Sequence, residues 1–331
     1  MEINNNRIKD IFKRFIKKRI LVIGDVMVDE YLSGKVSRIS PEAPVPVVDI
    51  SEQTIRFGGA ANVAYNLLHL GCVPILVGIV GEDLMGKYFL EIMGDNGMVS
   101  EGIIQIPDRP TTVKTRIIGH SQHIVRVDKE SSDYLNSKYE KKIMEIAGSF
   151  INNIDAIILQ DYNKGILTSR IIDFIISAAQ KNKKLITVDP KFTNFFAYKN
   201  ISVFKPNIKE IETAFAIKIK DQNDLIAIGK KLLEKIKAAC VLITRGAAGM
   251  SLFEADKEPV HVATRARNVS DVSGAGDTVI STFTAASVGG ASFREAAVIA
   301  NYAAGIVCEE IGIVPVSKDK LYKVCSGKDF T

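Results

Sequence analysis

The chain of 331 residues has few cysteines and no basic run interleaved with aromatics, and these shortages exclude several classes of protein. Its four cysteines are scattered without a C-x-x-C pair, which argues against a zinc site or a disulfide scaffold and fits a reducing cytoplasm. The net charge is only +5, so we expect no nucleic-acid partner. Because no apolar run is long enough to span a bilayer, we expect no membrane partner either.

The N-terminal segment, residues 1–18, mixes acidic and basic side chains and lacks the apolar centre of a signal peptide. It carries apolar residues at helical spacing, namely Ile8, Ile11, Phe12, Phe15 and Ile16. This spacing predicts a short amphipathic helix. Such a helix either touches a membrane surface or docks onto the rest of the protein, and we favour docking.

Short β-branched runs alternate with helical patterns along most of the chain. The runs predict strands at 20–24, 75–80, 156–160, 185–188, 201–204 and 241–244. Helical spacing lies between them at 60–70, 84–93, 139–150 and 169–181. Unbroken apolar strands separated by helices indicate an α/β fold whose mostly parallel sheet is covered on both faces. Sheets of this kind bind ligands beyond the carboxyl ends of their strands.

Two segments interrupt this alternation and predict a small β-sheet that stands off the main one. Residues 33–50 are proline-rich, and their end is extended but unsuited to a central strand. Residues 111–127 have the pattern of a β-hairpin with a polar turn at 119–122. We see no linker or repeat. We therefore expect one domain over residues 1–331, with these two segments as a lid.

The most informative motif is Val-Ser-Gly-Ala-Gly-Asp-Thr at 272–278, a glycine-rich turn that runs into an apolar helical pattern. A helix N-terminus offers unpaired N–H groups and a partial positive charge, and glycine lets an anion approach closely. Gly274, Ala275 and Gly276 therefore predict a phosphate cradle. Asp277 then stands where an ionised carboxylate can take a proton from an attacking hydroxyl. Taken by itself, the motif is better explained by an Asp that caps a helix.

Two earlier motifs predict contacts to a sugar. Asp25 and Asp29 follow the first strand, where carboxylates can accept hydrogen bonds from hydroxyl groups, although turn residues are the alternative. Gly58 and Gly59 precede a helix with Asn62 in its first turn, and paired glycines leave room for a ligand. A tight turn before a helix-packing alanine run explains that second motif about equally well.

Further motifs predict contacts to a nucleotide and its metal. Asn207 and Glu210 open a helix after a strand, so they either order Mg²⁺-bound water and phosphates or form a capping box. On spacing alone, the capping box is the better explanation. Thr244 and Gly246 end another strand and could line the phosphates or ribose, or form a turn. Asn301 lies in a small-residue helix that adenine could face, although helix packing is the commoner reason for such residues.

The order of these motifs resembles the ribokinase-like family of carbohydrate kinases across nearly the whole chain. That order is G-D-x-x-x-D, G-G-A-A-N, N-x-x-E, T-R-G and G-A-G-D. The resemblance implies a three-layer α/β/α sandwich with a mostly parallel central sheet and a small β-lid that commonly contributes to a homodimer. It also implies an enzyme that uses ATP and Mg²⁺. Ser273 stands where Thr is frequent and Phe57 where Pro is usual, and neither change removes a group the mechanism needs.

The resemblance also implies roles for individual residues. Asp277 is similar to the catalytic base, and the amides of residues 274–276 to the anion hole. The ATP site would include Asn207, Ile208, Lys209, Glu210, Thr244, Gly246, Gly249 and Asn301. Glu210 would hold Mg²⁺ through water, together with Asn207. The sugar contacts would include Asp25, Asp29, Gly58, Gly59 and Asn62.

Longer strings resemble the heptose 7-phosphate kinases within this family. These strings lie at 24–31, 37–48, 161–165 and 189–191. They imply ATP-dependent phosphorylation of D-glycero-D-manno-heptose 7-phosphate at C1, in ADP-heptose synthesis for lipopolysaccharide core or a surface glycan. The alternatives are a kinase of another sugar, such as ribose or fructose 1-phosphate, and a non-catalytic sugar-binding regulator. Many relatives add a nucleotidyltransferase domain with an H-x-G-H motif, which this sequence lacks, so we expect a stand-alone kinase.

A sugar phosphate carries a second dianion, and its recognition needs cations beyond those that bind ATP. Lys164 follows the strand at 156–160, so we expect it near the ligand-binding end of the sheet. Arg126 belongs to the lid hairpin and could close over the far end of the sugar. We expect both to bind the 7-phosphate. The alternative is that both are solvated surface charges.

Overall fold

The computed structural model describes residues 3–120, 122–264, 271–310 and 312–327, so Ser121 of the predicted polar turn lies outside the described residues. The helices in these ranges are α1 (Asn5–Phe15), α2 (Ala60–His69), α3 (Leu84–Asp95), α4 (Ser137–Phe150), α5 (Ser169–Lys181), α6 (Ile208–Phe215), α7 (Gln222–Ile236), α8 (Ala275–Val288), α9 (Phe293–Cys308) and α10 (Lys318–Cys325). The strands are β1 (Arg19–Gly24), β2 (Val26–Ile39), β3 (Pro46–Gly59), β4 (Val73–Gly81), β5 (Ile103–Ile106), β6 (Val113–Gly119), β7 (Gln122–Lys129), β8 (Ala156–Gln160), β9 (Leu185–Asp189), β10 (Val203–Phe204), β11 (Cys240–Thr244), β12 (Met250–Glu254) and β13 (Val260–Val262).

Within the described ranges, nine strands form the main sheet in the order β13-β12-β11-β10-β9-β8-β1-β4-β5. The neighbours from β11 to β5 pair in parallel, whereas β12 and β13 add antiparallel strands at one end. All six predicted strands are present, although the run at 201–204 pairs as a strand only over Val203–Phe204. The sequence patterns did not predict β5, β12 and β13, which lie at the two ends of the main sheet.

Helices cover both faces of this sheet because its central strands are apolar on both sides. In β1, Ile20 and Val22 point into a core that also contains buried side chains of α1, α2, α8 and α9. The alternate residues Leu21 and Ile23 point into a second core with side chains of α4, α5 and α7. All four side chains are completely buried. The helix, sheet and helix layers confirm the predicted α/β/α sandwich.

The N-terminal helix docks onto the rest of the protein, as we predicted. Its buried side chains are Ile8, Ile11, Phe12 and Phe15, and the helix contacts α8 and α10. Arg7 donates two hydrogen bonds of 2.8 and 2.9 Å to the carboxylate of Glu295, and this contact lowers the pKa of Glu295 to about 2. Among the helices that the structure describes, none has the length and apolar character needed to cross a membrane.

The lid is a separate sheet with the strand order β3-β2-β6-β7. Its position agrees with the prediction, but β2 begins already at Val26 and β3 runs on to Gly59. Only Asp25 separates β1 from β2, so the chain passes from the main sheet into the lid without a loop. Pro46 begins an edge strand, where the missing N–H of proline is tolerated. The chain therefore enters the lid at Asp25, between β1 and β2, and leaves β3 at Gly59, directly before α2.

Candidate active site

The carboxyl ends of the parallel strands bring polar residues to one edge of the main sheet. These residues are Asp25 after β1, Gln160 and Tyr162 at and beyond the end of β8, Asp189 at the end of β9, Lys205 after β10 and Thr244 at the end of β11. The first turn of α8 meets the same edge, because Gln160 and Tyr162 both contact Asp277. The cleft that we predicted beyond the strand ends is therefore lined with titratable and amide side chains.

Asp277 lies in the first turn of α8 and is 3% exposed. Its carboxylate accepts hydrogen bonds from the side chains of Asn62, Gln160 and Tyr162, at 2.9, 3.0 and 2.8 Å respectively. Burial raises the pKa of Asp277 to about 7, against the lowering effect of the Asn62 hydrogen bond. A carboxylate with a pKa near 7 is well matched to accept a proton at neutral pH.

Gly274, Ala275 and Gly276 form the turn into α8, as the sequence predicted. Gly274 has a φ of +77°, and a Cβ there would lie 3.0 Å from the side-chain nitrogen of Asn62. A Cβ on Gly276 would lie 3.5 Å from the Lys205 ammonium. The helix N-terminus and a lysine thus face the same small space, and both favour an anion.

Sequence reasoning missed the network that connects this turn to β8 and β9. The Gln160 amide nitrogen donates to Asp277 and also to Asp189, each at 3.0 Å. Asp189 in turn pairs with Lys205 at 2.9 Å, and all of these side chains are buried. The amide oxygen of Gln160 has no hydrogen-bond partner within the described residues. The available signal was a polar residue at the end of each strand, because Gln160 and Asp189 end β8 and β9 as Thr244 ends β11.

Asp25 has a positioning role in the free protein. Its carboxylate accepts backbone hydrogen bonds from Tyr162, Lys164 and Ile166 at 2.7, 3.0 and 3.3 Å. It is 1% exposed, and burial raises its pKa to about 6. The contacts hold the segment 161–166 in place, and this segment carries Tyr162 to Asp277.

Glycine is needed at positions 58 and 59 because a side chain there would collide with neighbouring atoms of the protein, apart from any space that the glycines leave for a ligand. A Cβ on Gly58 would lie 2.1 Å from a carboxylate oxygen of Asp29, and one on Gly59 would lie 2.4 Å from the Asp25 carbonyl oxygen. Gly59 also has a φ of +56°. The glycines therefore let the two aspartate positions approach α2. The Asp29 carboxylate is buried and forms an ion pair with Arg116.

Asn207 and Glu210 form a complete capping box at the start of α6, with hydrogen bonds of 2.9 Å in both directions. The second oxygen of Glu210 pairs with Lys191. Burial raises the pKa of Glu210, and the neighbouring charge of Asp189 raises it further. Ile208 and Lys209 occupy the first turn of α6, where Lys209 is exposed. Capping and a role at a metal are thus compatible, because the same carboxylate lies at the edge of the cleft.

The remaining predicted nucleotide residues lie around β11 and α9. Thr244 pairs by a backbone bridge with Asn207. Gly246 has open space around its Cα and a φ of +56°, whereas a Cβ on Gly249 would lie 2.0 Å from the Val262 carbonyl oxygen. Asn301 is buried and donates a 2.7 Å hydrogen bond to the Ala263 carbonyl oxygen. Gly249 and Asn301 thus have structural contacts in the free protein.

Lys164 and Arg126 belong to one network of charges. Lys164 pairs with Glu130 at 2.6 Å, and Lys114 joins Glu130 to Asp128 with two contacts of 3.0 Å. Arg126 donates two hydrogen bonds to Asp128, at 2.9 and 3.0 Å, and its side chain is 57% exposed. The structure therefore joins the two predicted phosphate contacts through one chain of ion pairs.

Comparison with known proteins shows the family to which this chain belongs. Residues 17–319 match the pfkB family carbohydrate kinases. The chain is 42% identical over 297 residues to "Bifunctional protein HldE" of Geobacter sulfurreducens, covering 90% of this chain and 61% of that protein. It is 41% identical over 304 residues to the protein of the same name from Helicobacter pylori, covering 92% and 65%. The chain thus spans less than two thirds of the length of these relatives.

Solved structures share the fold at low sequence identity. Arabidopsis thaliana ribokinase, solved in complex with ribose and ATP, has a TM-score of 0.73 at 20% identity and covers 93% of this chain and 99% of that one. Phosphofructokinase-2 from Escherichia coli, solved with substrates and products, has a TM-score of 0.74 at 17% identity and covers 94% and 100%. These likenesses confirm the ribokinase-like fold. Together with the family match over residues 17–319, they lead to one assignment: this chain is a carbohydrate kinase of the pfkB family.

Proposed function

We propose that this kinase transfers the γ-phosphoryl group of ATP to the anomeric C1 hydroxyl of D-glycero-D-manno-heptose 7-phosphate. The products are the 1,7-bisphosphate and ADP, and the bisphosphate enters ADP-heptose synthesis for lipopolysaccharide core or a surface glycan. The observation that carries the chemistry is the buried Asp277, which lies at the N-terminus of α8 and has a pKa raised to about 7.

Asp277 acts as the general base. It takes the proton of the C1 hydroxyl as that oxygen forms a bond to the γ-phosphorus, while the bond from this phosphorus to the ADP oxygen breaks. Asn62, Gln160 and Tyr162 hold the carboxylate through their hydrogen bonds, so it meets the hydroxyl in one orientation. This arrangement supplies the positioning on which phosphoryl transfer depends.

The phosphoryl group in transfer is bound by the turn at 274–276 and by Lys205. The amides of the first turn of α8 offer donors, and the Lys205 ammonium faces Gly276 across a space that a side chain there would fill. Lys205 is 4% exposed, so its charge acts in a medium of low dielectric constant. These groups oppose the negative charge that develops on the transferring oxygens.

The residues at the cleft also fit Mg²⁺ and the nucleotide. No group of three His, Cys, Asp or Glu side chains in the described ranges could hold a metal by itself. Mg²⁺ usually keeps several waters and binds through few carboxylates plus substrate phosphates, and Glu210, with Asn207, can hold it through water. When bound, the ion neutralises charge on the β- and γ-phosphate oxygens. Thr244, Gly246, Gly249 and Asn301 are the proposed contacts to the rest of ATP.

The sugar is proposed to lie between this cleft and the lid, against Asp29, the glycine pair and Asn62. Support for heptose 7-phosphate comes from the four strings at 24–31, 37–48, 161–165 and 189–191, three of which include the cleft residues Asp25, Tyr162 and Asp189. Tyr162 donates to the proposed base, and Lys191 lies 5.3 Å from the centre of the Tyr162 ring. Lys164 and Arg126 are the proposed contacts to the 7-phosphate.

A substrate panel tests the proposal. The purified chain is incubated with ATP, Mg²⁺ and, separately, heptose 7-phosphate, fructose 1-phosphate, fructose 6-phosphate and ribose, and ADP formation is followed. We expect the highest kcat/KM with heptose 7-phosphate, and phosphorus NMR should show a new phosphate on C1. Faster turnover of another sugar would reject the substrate, and sugar binding without ADP formation would favour a non-catalytic regulator.

We also propose that two copies associate through the lid. Its outer face exposes Val125 and Val127, which are 47% and 54% accessible in the single chain and pair in register with Ile117 and Thr115. An apolar β-surface of this kind is typical of an interface. Sedimentation should give the mass of a dimer, and Val127→Lys should shift the protein toward monomer. A monomeric wild-type protein at micromolar concentration would reject this association.

A further inference from the structure

The inner face of the lid carries two rows of charged and aromatic side chains. Pairing in register places Asp29, Lys114 and Asp128 in one row and Tyr31, Arg116 and Arg126 in the next. Arg56 joins the first row, because it pairs with Asp29 across β2 and β3. Residues that pair directly across strands project from the same side of a sheet. One face of the lid therefore presents four cations.

This face is turned toward the catalytic cleft. Burial raises the pKa of Tyr162, and the negative charge of Asp29 is among the neighbouring charges that raise it further. The Tyr162 hydroxyl donates a hydrogen bond to Asp277. Arg116 also experiences the negative charge of Asp271. The Asp271 carboxylate accepts a 2.9 Å hydrogen bond from the backbone N–H of Ser273, just before the turn into α8. Arg56 donates a 2.6 Å hydrogen bond to the Ile313 carbonyl oxygen, and Ile313 packs near Gly274. The inner face thus lies near the turn that leads into α8.

Three of the cations near this face pair with the carboxylates of Asp128 and Glu130, whereas Arg56 and Arg116 have fewer acidic partners. Lys114, Lys164 and Arg126 share the two carboxylates of Asp128 and Glu130. Arg116 has Asp29 as its ion-pair partner, and Arg56 has no carboxylate within ion-pair distance among the residues the structure describes. Among the described residues, these five cations have three carboxylates within ion-pair distance, and Asp271 acts on Arg116 from further away. The group therefore keeps an excess of positive charge, which favours an anion.

Arg56 and Arg116 flank the ring of Tyr31. Their guanidinium carbons lie 5.7 and 5.2 Å from the ring centre. The ring attracts both groups, and Asp29 is the one carboxylate within ion-pair distance of either of them among the described residues. Arg116 is 13% exposed in its side chain, and an arginine has five N–H donors in a fork that matches phosphate. An anion placed between the lid and the cleft would therefore give these two guanidinium groups a second negatively charged partner.

We propose that Arg116, assisted by the charge of Arg56, binds the phosphate at the far end of the sugar and so makes the lid select a sugar phosphate over a free sugar. This assignment rests on the proposed function and extends it to a residue that determines specificity. Arg116 can keep its contact with Asp29 while its other N–H groups turn to the phosphate. Lys164 and Arg126 then contribute at the rim, where Glu130 and Asp128 already hold them.

The test compares one enzyme on two substrates, heptose 7-phosphate and heptose without its phosphate. The ratio of the two kcat/KM values from a single preparation cancels the fraction of active protein, so a loss of stability cannot mimic the effect. Arg116→Gln removes the charge, and Arg116→Lys keeps the charge but not the fork. Lys129→Gln is the matched control, since Lys129 is an exposed lid cation whose side chain pairs with Asp83.

We expect the wild-type ratio to favour the phosphorylated sugar and Arg116→Gln to reduce it by about tenfold to hundredfold, the loss of one charge-assisted contact. Arg116→Lys should give an intermediate ratio, and Lys129→Gln should leave it unchanged. A wild-type preference that survives in Arg116→Gln overturns the assignment and leaves the proposed function standing. An equal loss in Lys129→Gln also overturns it, because the effect would then be the net charge of the lid. A wild-type enzyme with equal kcat/KM for the two substrates overturns both the Arg116 assignment and the proposed substrate.

Discussion

Replacing Tyr162 with Phe tests how the environment of Asp277 sets the pH at which the enzyme works. The Tyr162 hydroxyl donates a 2.8 Å hydrogen bond to the Asp277 carboxylate, and this bond stabilises the charged form of the base. Burial already raises the pKa of Asp277 to about 7. Because the folded state loses a donor to the carboxylate in Tyr162→Phe, the pKa of Asp277 rises further.

The size of the effect follows from the strength of one hydrogen bond to a charged group. A contribution of about 1.5 kcal/mol corresponds to about one pH unit, so the acidic limb of kcat/KM should move from near pH 7 to near pH 8. At pH 7 the ionised fraction of Asp277 then falls about fivefold, and the rate falls with it. At pH 9 Asp277 is almost fully ionised in both the wild type and Tyr162→Phe, so the two enzymes should differ little.

The assay is the pH dependence of kcat/KM for the sugar substrate at saturating ATP, from pH 5.5 to 9.5. Tyr65→Phe is a matched control, because it removes a 2.9 Å hydrogen bond to Asn96 at a hydroxyl that does not contact Asp277. Its profile should coincide with that of the wild type. A Tyr162→Phe profile with an unchanged midpoint, or a loss of equal size at every pH, would show that Tyr162 does not act through the pKa of Asp277.

Three further substitutions separate the roles assigned to single residues. Asp277→Asn should lower kcat by about 10²–10⁴ with little change in ATP affinity, and a kcat near that of the wild type would contradict its role as the base. Glu210→Gln keeps an acceptor for the Asn207 N–H, so the melting temperature should hold while the Mg²⁺ concentration for half-maximal rate rises; unaltered Mg²⁺ dependence would leave capping as its whole role. Lys164→Ala should raise KM for heptose 7-phosphate by about tenfold or more and leave KM for ATP nearly unchanged, and an equal rise in both would point to a general loss of structure.

Local features of the site could be predicted from sequence because their partners are near neighbours in the chain. The capping box joins Asn207 to Glu210 three residues on, and the structure forms both of its hydrogen bonds. The glycine turn before α8 and the alternation of strands and helices have the same local origin. The lid was located, but β2 begins before the predicted segment 33–50 and β3 ends after it. The reason is that β2 follows β1 after a single residue and β3 runs directly into α2.

The sequence by itself determined the order of the strands and helices, the turn that places Asp277 at a helix N-terminus, and the family. Tertiary structure alone decided what surrounds that carboxylate. Asn62 and Tyr162 reach Asp277 across 215 and 115 residues, and Gln160 across 117. The raised pKa of Asp277 arises from burial by these distant segments, and the excess positive charge under the lid arises from strand register. Packing brings such groups together, so no pattern within a few residues of the chain can encode them.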